Sequence, residues 1–494
     1  MKYSRFQEAI FSGVTDTTDN MIINAVAGSG KTTTLIEIMK RVNSKVNFLA
    51  FNKSIADELG RRCPAHVDCS TLHSAGLKVV RQRFGNVRIE ANKIDIIMAN
   101  YLPLEIQKSM TPDEKSARYE LRSLIRNMVS KIKNTLVDYT NVKALQEIAD
   151  YYAIDIDLSE HHDKIIYVME KSINDTQNID FDDMIFMPVH YKIVTKYPYD
   201  YILVDESQDL NLTQIDLILS LVKKPNGRVI CVGDPKQSIY GFRGADAQAM
   251  ERIKSILNAK EYPLSVCYRC PSKHLDLIRS IVPQIEARED APEGILEHIT
   301  EKEFVDKIIQ ETNPLILCRT NGYMVSFALS LLSRGYKAII KGRDIGANLI
   351  ALVKKLKAYT MEEFYENLGD WQLREISKLD NRKIPAPPSM YDLIDDKYQT
   401  LNCIADQCKS VDEIINKLTN LFTDDTTNSF TFSTVHKAKG LENDTVYILA
   451  PHLLPMSRKN QTEDEFVQEK NIKYVAYTRS KNKLVIVHPE KSGR

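Results

Sequence analysis

A chain of 494 residues and 56.5 kDa exceeds what one hydrophobic core fills, so several domains are expected. Hydrophobic residues make up 43% and charged residues 27%, a globular balance that excludes fibrous and disordered classes, and no apolar run is long enough to span a membrane. Basic and acidic residues number 66 each, so a polyanion would have to be met by a local groove and not by a global field.

The opening segment, Met1 to Gln7, lacks a signal peptide's apolar core, and a cytoplasmic location is expected. Phe6-Gln-Glu-Ala-Ile10 is amphipathic, and Gln7 has the donor and acceptor needed to read an adenine edge. An apolar run at Met21 then leads into Ala25-Val-Ala-Gly-Ser-Gly-Lys-Thr32, followed by a helical pattern through Met39. Strand, glycine-rich turn and helix start is an arrangement that cradles phosphates. Gly28 and Gly30 let backbone N–H groups face the oxygens, and the helix N-terminus adds its positive end. Lys31 would reach the β- and γ-phosphates and Thr32 would offer its hydroxyl to Mg²⁺. The candidate nucleotide contacts are therefore Ala27, Gly28, Ser29, Gly30, Lys31, Thr32 and Thr33. Ala25 stands where the generic pattern has glycine, and an ordinary Gly-Ser-Gly turn is the competing reading.

Val46 to Phe51 reads as a buried strand ending at Asn52, with Ser54 expected to cap the next helix. A short strand, Val67 to Ser70, ends at Thr71-Leu-His-Ser74. Polar residues at successive strand ends would line one edge of a parallel sheet, where open α/β sheets bind ligands. From 84 to 178 the pattern turns helical and highly charged, as in an inserted helical domain. The basic residues of Leu121 to Lys133 are expected on a solvated face, with contact to DNA as the alternative. Phe181-Asp-Asp-Met-Ile185 leads back to the sheet.

Tyr201-Ile-Leu-Val-Asp-Glu-Ser-Gln-Asp209 is an apolar strand ending in two adjacent carboxylates. Asp205 would hold Mg²⁺ through water, and Glu206 would orient and deprotonate an attacking water. With the phosphate loop, this pair makes nucleoside triphosphate hydrolysis the expected chemistry. Beyond it, a buried strand ends at Gly233-Asp234. Gln237 is placed to sense a terminal phosphate, and Tyr240 or Phe242 could stack on a base. Cys267-Tyr-Arg-Cys270 has metal spacing, but no second such pair lies nearby, and eight scattered cysteines suit a reducing interior, so the pair reads as packing, with zinc the remote alternative. A second α/β region holds strands at 314–318 and 337–340. Residues 346–428 are helical again, with Trp371 and a stiff Pro385-Ala-Pro-Pro388. The strand pattern resumes at Phe430 to His436, Thr445 to Leu449 and Lys483 to Val487.

These residues fall in a known order. Gln7, Gly28-Ser-Gly-Lys-Thr32, Thr71-Leu-His-Ser74, Val204-Asp-Glu-Ser-Gln208, Gly233-Asp-Pro-Lys-Gln-Ser-Ile-Tyr240, Tyr268-Arg269, Thr434-Val-His-Lys-Ala-Lys-Gly-Leu-Glu442 and Val475-Ala-Tyr-Thr-Arg479 together resemble the superfamily 1A helicases of the UvrD/Rep/PcrA type. Val26 and the Ala50-Phe-Asn-Lys53 stretch look more like the F-box DNA helicase branch. The resemblance implies an α/β fold with two RecA-like P-loop NTPase domains, parallel sheets flanked by helices, each with a helical insertion. The expected boundaries are 1–83 with 179–246 for the first domain and 84–178 for its insertion, then 247–345 with 429–494 for the second and 346–428 for its reduced insertion. It implies ATP between the domains, with Mg²⁺ on Thr32 and Asp205. Gln7 and Tyr268 would meet adenine, and Glu442 the ribose. Lys31, Gln237, Arg269 and Arg479 would contact phosphates, with Glu206 as base. Asn52, Thr71, His73, Tyr240, Phe242, Thr434 and His436 look like single-strand DNA contacts.

The same resemblance implies a monomeric, DNA-stimulated ATP hydrolase acting on single strands and junctions in replication, repair or recombination, with 3′→5′ polarity. Replication or repair proteins are the expected protein partners, no membrane partner is expected, and a fused nuclease is not. The alternatives are a translocase that displaces proteins or serves a partner nuclease, and, in another class, a P-loop kinase or small-molecule ATPase.

Overall fold

The computed structural model describes residues 2–101, 110–239, 249–383, 385–425, 427, 429–459 and 461–490. The chain forms two compact units, one of Met1–Ala25 with Gly30–Leu264, the other of Val26–Ser29 with Ser265–Arg494.

The first unit is built on a parallel sheet. Its strands are β1 (Met21–Ala25), β2 (Val46–Ala50), β3 (Val67–Thr71), β6 (Tyr201–Val204), β7 (Arg228–Gly233) and β8 (Lys260–Leu264), in the order β3-β2-β6-β7-β1-β8. A two-stranded parallel ribbon, β4 (Arg88–Ile89) and β5 (Asn178–Ile179), brackets the helices between them. The central strands are mostly apolar because both faces are covered, as parallel sheets require. Side chains alternate between two cores. Ile23, Phe48, Leu203, Ile230 and Val232 pack with Ile10 and Leu35 of the helices Arg5–Asp16 and Lys31–Arg41. Ile22, Leu49, Ile202, Val204, Val229 and Cys231 pack on the other face with Ala75, Ile185 and Leu217 of three further helices. Because every pair is parallel, β1, β2, β3, β6 and β7 all end at the same sheet edge.

β8 joins this sheet beside β1, Met21 to Ala25 pairing with Lys260 to Leu264, and the first unit runs to Leu264. Asn52, and not Ser54, caps the helix Lys53–Gly60, its Oδ1 accepting from Ile55 N at 2.9 Å. The stretch after β4 is helical over Lys93–Tyr101, Pro112–Thr135, Val142–Tyr151 and Leu158–Asn174. Its basic residues are not all solvated. Lys133 is wholly buried, its ammonium 2.8 Å from Asp180 Oδ2 and 2.7 Å from Asp183 Oδ1.

The second unit has its own parallel sheet, β11 (Ile295–Thr300), β12 (Leu315–Cys318), β13 (Ala338–Ile340), β14 (Phe430–Thr434), β15 (Asn443–Leu449) and β16 (Ser480–His488), in the order β11-β16-β15-β12-β14-β13. A small parallel pair, β9 (Val266–Cys267) and β10 (Glu286–Ala287), precedes it. The helices Arg343–Leu356, Met361–Asp380, Pro388–Ala405 and Val411–Leu421 share its core. Phe364, Trp371, Leu401 and Leu418 lie in one buried cluster with Ile316, Phe432 and Tyr447 of the sheet. The fold is thus mixed α/β, with parallel sheets flanked by helices. No helix among the described residues is long and apolar enough to cross a membrane.

Candidate nucleotide-binding site

The loop leaving β1 has the backbone that close approach to phosphates demands. Gly28 (φ +67°) and Gly30 (φ +79°) occupy the left-handed region, which glycine enters without strain. Gly30 then opens the helix Lys31–Arg41, whose first N–H groups face outward from its end. The Ser29 hydroxyl is buried, with no hydrogen-bond partner among the described residues. An orphaned donor in a glycine-shaped cradle fits a phosphate oxygen, and Thr32 lies exposed one residue beyond Lys31.

At the ends of β6 and β7 the acidic residues converge on Lys31. Lys31 Nζ is 2.7 Å from Glu206 Oε1. Burial works against its charge, but Glu206, Asp205 and Asp234 outweigh that and hold it above the ordinary lysine range. Asp205 is pushed up to about 6, by burial and by Glu206 beside it, with Lys31 opposing. A carboxyl so crowded gains from a divalent cation. Among the described residues no group of three or more potential ligands forms a metal cage by itself. Mg²⁺ is commonly held by one or two carboxylates and the substrate's own phosphates, and Asp205 is a carboxylate of that kind.

Glu206 sits at φ +51°, a left-handed conformation that costs a non-glycine residue about 1 kcal/mol or more. The strained backbone turns its carboxylate toward Lys31. Gln208, to which the sequence assigns no role, holds it there: its Nε2 donates to Glu206 Oε2, and its Oε1 accepts from Asp234 N at 3.0 Å. A signal is present, since Gln208 lies on the acidic strand's own motif. Gly233 makes room for it, because a Cβ there would meet Gln208 Oε1 at 2.5 Å. Gln237 Nε2 donates to Asp234 Oδ2 at 2.6 Å, which places the expected phosphate sensor in the same cluster. Gln7 is engaged by the fold. Its Oε1 closes the capping box of Arg5–Asp16, and its Nε2 donates to Thr34 Oγ1 at 3.1 Å. Thr34, one helical position past Thr33, is a second participant that its motif does not single out.

The second unit gathers the remaining nucleotide candidates. Arg269 Nε donates to Glu442 Oε2 at 2.7 Å and its Nη1 to Thr478 O at 3.2 Å, while Lys481 lies 2.7 Å from Glu442 Oε1. Burial raises the Glu442 carboxyl, but Lys481 and Arg269 overcome it and hold it low. Tyr268 is partly exposed, and its N–H donates to Gly28 O at 2.8 Å. In the same unit Ala27 N donates to Tyr474 Oη at 2.6 Å. Arg479 is only 1% exposed. Its guanidinium donates to Val475 O at 2.8 Å, Leu441 O at 3.2 Å and Thr478 Oγ1 at 3.0 Å.

Arg479→Ala therefore carries two expected effects. Carbonyls left without donors cost about 1–3 kcal/mol each when buried, so the melting temperature should drop. If Arg479 is a finger, turnover should fall by about a thousandfold or more with nucleotide binding modestly weakened. A variant that melts and hydrolyses like the parent would remove both roles.

Of the DNA candidates, Asn52 and Thr71 spend side-chain oxygens on helix caps, Thr71 Oγ1 accepting from Ser74 N at 3.2 Å. Burial lowers the His73 imidazole below its ordinary range, with Asp182 opposing. Thr434 is buried at the end of β14, and His436 is half-buried in the following turn. Tyr240 and Phe242 lie outside the described residues.

The sequence is similar to those of known proteins. A model of the UvrD/REP helicase N-terminal domain matches residues 6–257, about half the chain. F-box DNA helicase protein 1 of Schizosaccharomyces pombe is 24% identical over 505 aligned residues, covering 94% of this chain and 55% of that protein. ATP-dependent DNA helicase PcrA of Staphylococcus aureus is 25% identical over 613, covering 95% of this chain and 81% of the relative. ATP-dependent DNA helicase Rep of Buchnera aphidicola is 27% identical over 287, covering 53% of this chain and 42% of Rep. The chain thus spans about half the length of the fission yeast relative.

Proposed function

The chain belongs to the UvrD/REP helicase family, and we propose that it is an ATP-dependent DNA helicase that moves 3′→5′ on single strands and unwinds duplex DNA. The observation that carries this reading is the cluster of Lys31, Asp205 and Glu206 beside a glycine-shaped phosphate loop. Lys31 binds the β- and γ-phosphates, exchanging its pairing with Glu206 for the incoming charge. Thr32 and Asp205 hold Mg²⁺, which when bound neutralises developing charge on the phosphoryl oxygens. Glu206, aimed by Gln208, accepts the proton of the attacking water. Gln237 reports the terminal phosphate, and Arg269 and Arg479 supply transition-state charge. Tyr268 and Gln7 take the adenine and Glu442 the ribose. Tyr240 and Phe242 stack on bases, with Asn52, Thr71, His73, Thr434 and His436 as further contacts to a single strand. Residues 84–178 and 346–428 are insertions into two RecA-like domains, and the protein acts as a monomer.

A second reading, a translocase that displaces proteins and unwinds little, is supported by the helices over 343–421. They share the second unit's core with its sheet. The test is ATPase rate with and without single-stranded DNA, followed by strand displacement from 3′- and 5′-tailed duplexes. The expected result is strong stimulation and displacement from the 3′ tail. ATPase indifferent to DNA would overturn both readings. Stimulation and protein displacement without strand separation would select the translocase.

A further inference from the structure

Cys267 and Cys270 flank the two residues, Tyr268 and Arg269, that the proposed function places on the nucleotide. They do more than pack. Cys270 N donates to the Cys267 sulfur at 3.4 Å. The Cys270 sulfur also lies 3.5 Å from Thr478 O. The Cys270 hydrogen bond, the amides of Cys270 and Arg269 and the Arg269 guanidinium bring the Cys267 thiol down to about 7 despite its burial. Cys270 is held well above its ordinary range, first by its bond to Cys267. The other cysteines with a resolved shift all move the opposite way to Cys267; burial pushes Cys231 and Cys318 up to about 12. A sulfur held by the amide of a second cysteine, with two residues between them, is the arrangement that redox-active C-x-x-C sites use.

A metal is a poorer fit. The nearby imidazole of His274 is occupied on both nitrogens, by Ser480 Oγ at 2.8 Å and Ile295 O at 3.0 Å. Among the described residues no three-ligand group exists.

We propose that Cys267 and Cys270 form a redox-active dithiol that a hydroperoxide oxidises to an intramolecular disulfide, slowing nucleotide turnover through Tyr268 and Arg269. The Cys267 thiolate attacks one peroxide oxygen and the O–O bond breaks. This gives a sulfenic acid on Cys267 and, after protonation, water from hydrogen peroxide. Cys270 loses its proton, and its sulfur attacks the sulfenic sulfur. The S–S bond forms and the sulfenic oxygen leaves as a second water. Two thiols are oxidised and one peroxide is reduced. With the two residues 0% and 3% exposed, a small peroxide is favoured over a bulky disulfide as oxidant. Closing the bridge pulls the Cys270 sulfur from Thr478 O. It also constrains the backbone between, which carries the Tyr268 bond to Gly28 O and the Arg269 clamp on Glu442.

The effect on turnover rests on the proposed ATPase; the disulfide itself does not. The full-length protein is treated with hydrogen peroxide, alkylated and cut with trypsin, which cleaves after Arg269. Cys267 and Cys270 then fall on separate peptides unless a disulfide joins them. The expected result is a joined pair that dithiothreitol separates, with most of the ATPase lost and regained in step. Cys270→Ser and Cys270→Ala should keep the reduced enzyme's ATPase and resist peroxide. No joined pair at peroxide doses that oxidise the partly exposed Cys403 and Cys408 would overturn the dithiol. A joined pair in an active enzyme whose turnover does not change would overturn the switch. A joined pair in a protein with no ATPase even when reduced would support the dithiol and count against the proposed function instead.

Discussion

Glu206→Gln should lower ATP turnover by about 10²–10⁴-fold, the range general bases contribute, while nucleotide still binds. The substitution keeps the shape that fits the left-handed turn and the contact with Gln208. It removes the charge and the proton acceptor. Lys31 loses one partner at 2.7 Å but keeps the fields of Asp205 and Asp234, so its ammonium remains available to phosphates. Lys31→Ala makes the contrast. It should abolish turnover and weaken nucleotide binding as well, because it removes positive charge from beside two buried carboxyls. Calorimetric titration with a non-hydrolysable ATP analogue, beside steady-state ATPase rates, separates the two. A Glu206→Gln protein that hydrolyses at near-parental rate would place the base elsewhere, and one that no longer binds nucleotide would make Glu206 a structural residue.

The residues of that site are legible in the sequence because each lies in a short contiguous motif at the end of an apolar strand. Parallel pairing then delivers β1, β6 and β7 to one edge without further information. Contacts made across the chain are not legible. Gln208 lies on the acidic strand's motif, but its spacing does not reveal that it will bridge Glu206 to Asp234 from the next strand. β8 escapes a reading by pattern because Lys260-Glu-Tyr-Pro-Leu264 alternates burial and contains a proline, features of an edge strand, and it pairs only with β1 in its sheet. Arg479 matches a motif in one dimension, yet the fold surrounds it with backbone carbonyls. Lys133 is the plainest case. On a helix rich in basic residues it looks solvated, and only the return of the chain through Asp180 and Asp183 buries it.

That buried cluster gives the largest stability effect expected in the molecule. Lys133 and Asp183 have side chains 0% exposed, and Lys93 Nζ completes the group at 2.7 Å from Asp183 Oδ2. Two ammonium groups balance two carboxylates. Burial opposes the Lys133 charge, but Asp183 and Asp180 hold it above the ordinary range; burial likewise opposes the Asp183 charge, and Lys133 and Lys93 hold it low. The same helix ties to the segment after the acid pair, with Thr213 Oγ1 donating to Lys133 O at 2.6 Å and Asn211 Nδ2 to Asn134 Oδ1 at 2.7 Å. Lys133→Met keeps the volume and leaves two buried carboxylates to one ammonium. Breaking a buried pair from one side costs about 3–5 kcal/mol, a large share of a typical domain's stability. The pH dependence has a definite sign. Asp180 is already raised, first by burial and then by Asp183, and Lys133 is what opposes that rise. Without Lys133 it should rise further, so the variant's deficit is greatest at neutral pH and shrinks as acid protonates Asp180. Adding Asp180→Asn should recover part of the loss. Denaturant melts of the single and double variants at neutral and mildly acidic pH check this. A Lys133→Met protein as stable as its parent, or a deficit that grows with acid, would mean that the cluster does not hold the helix.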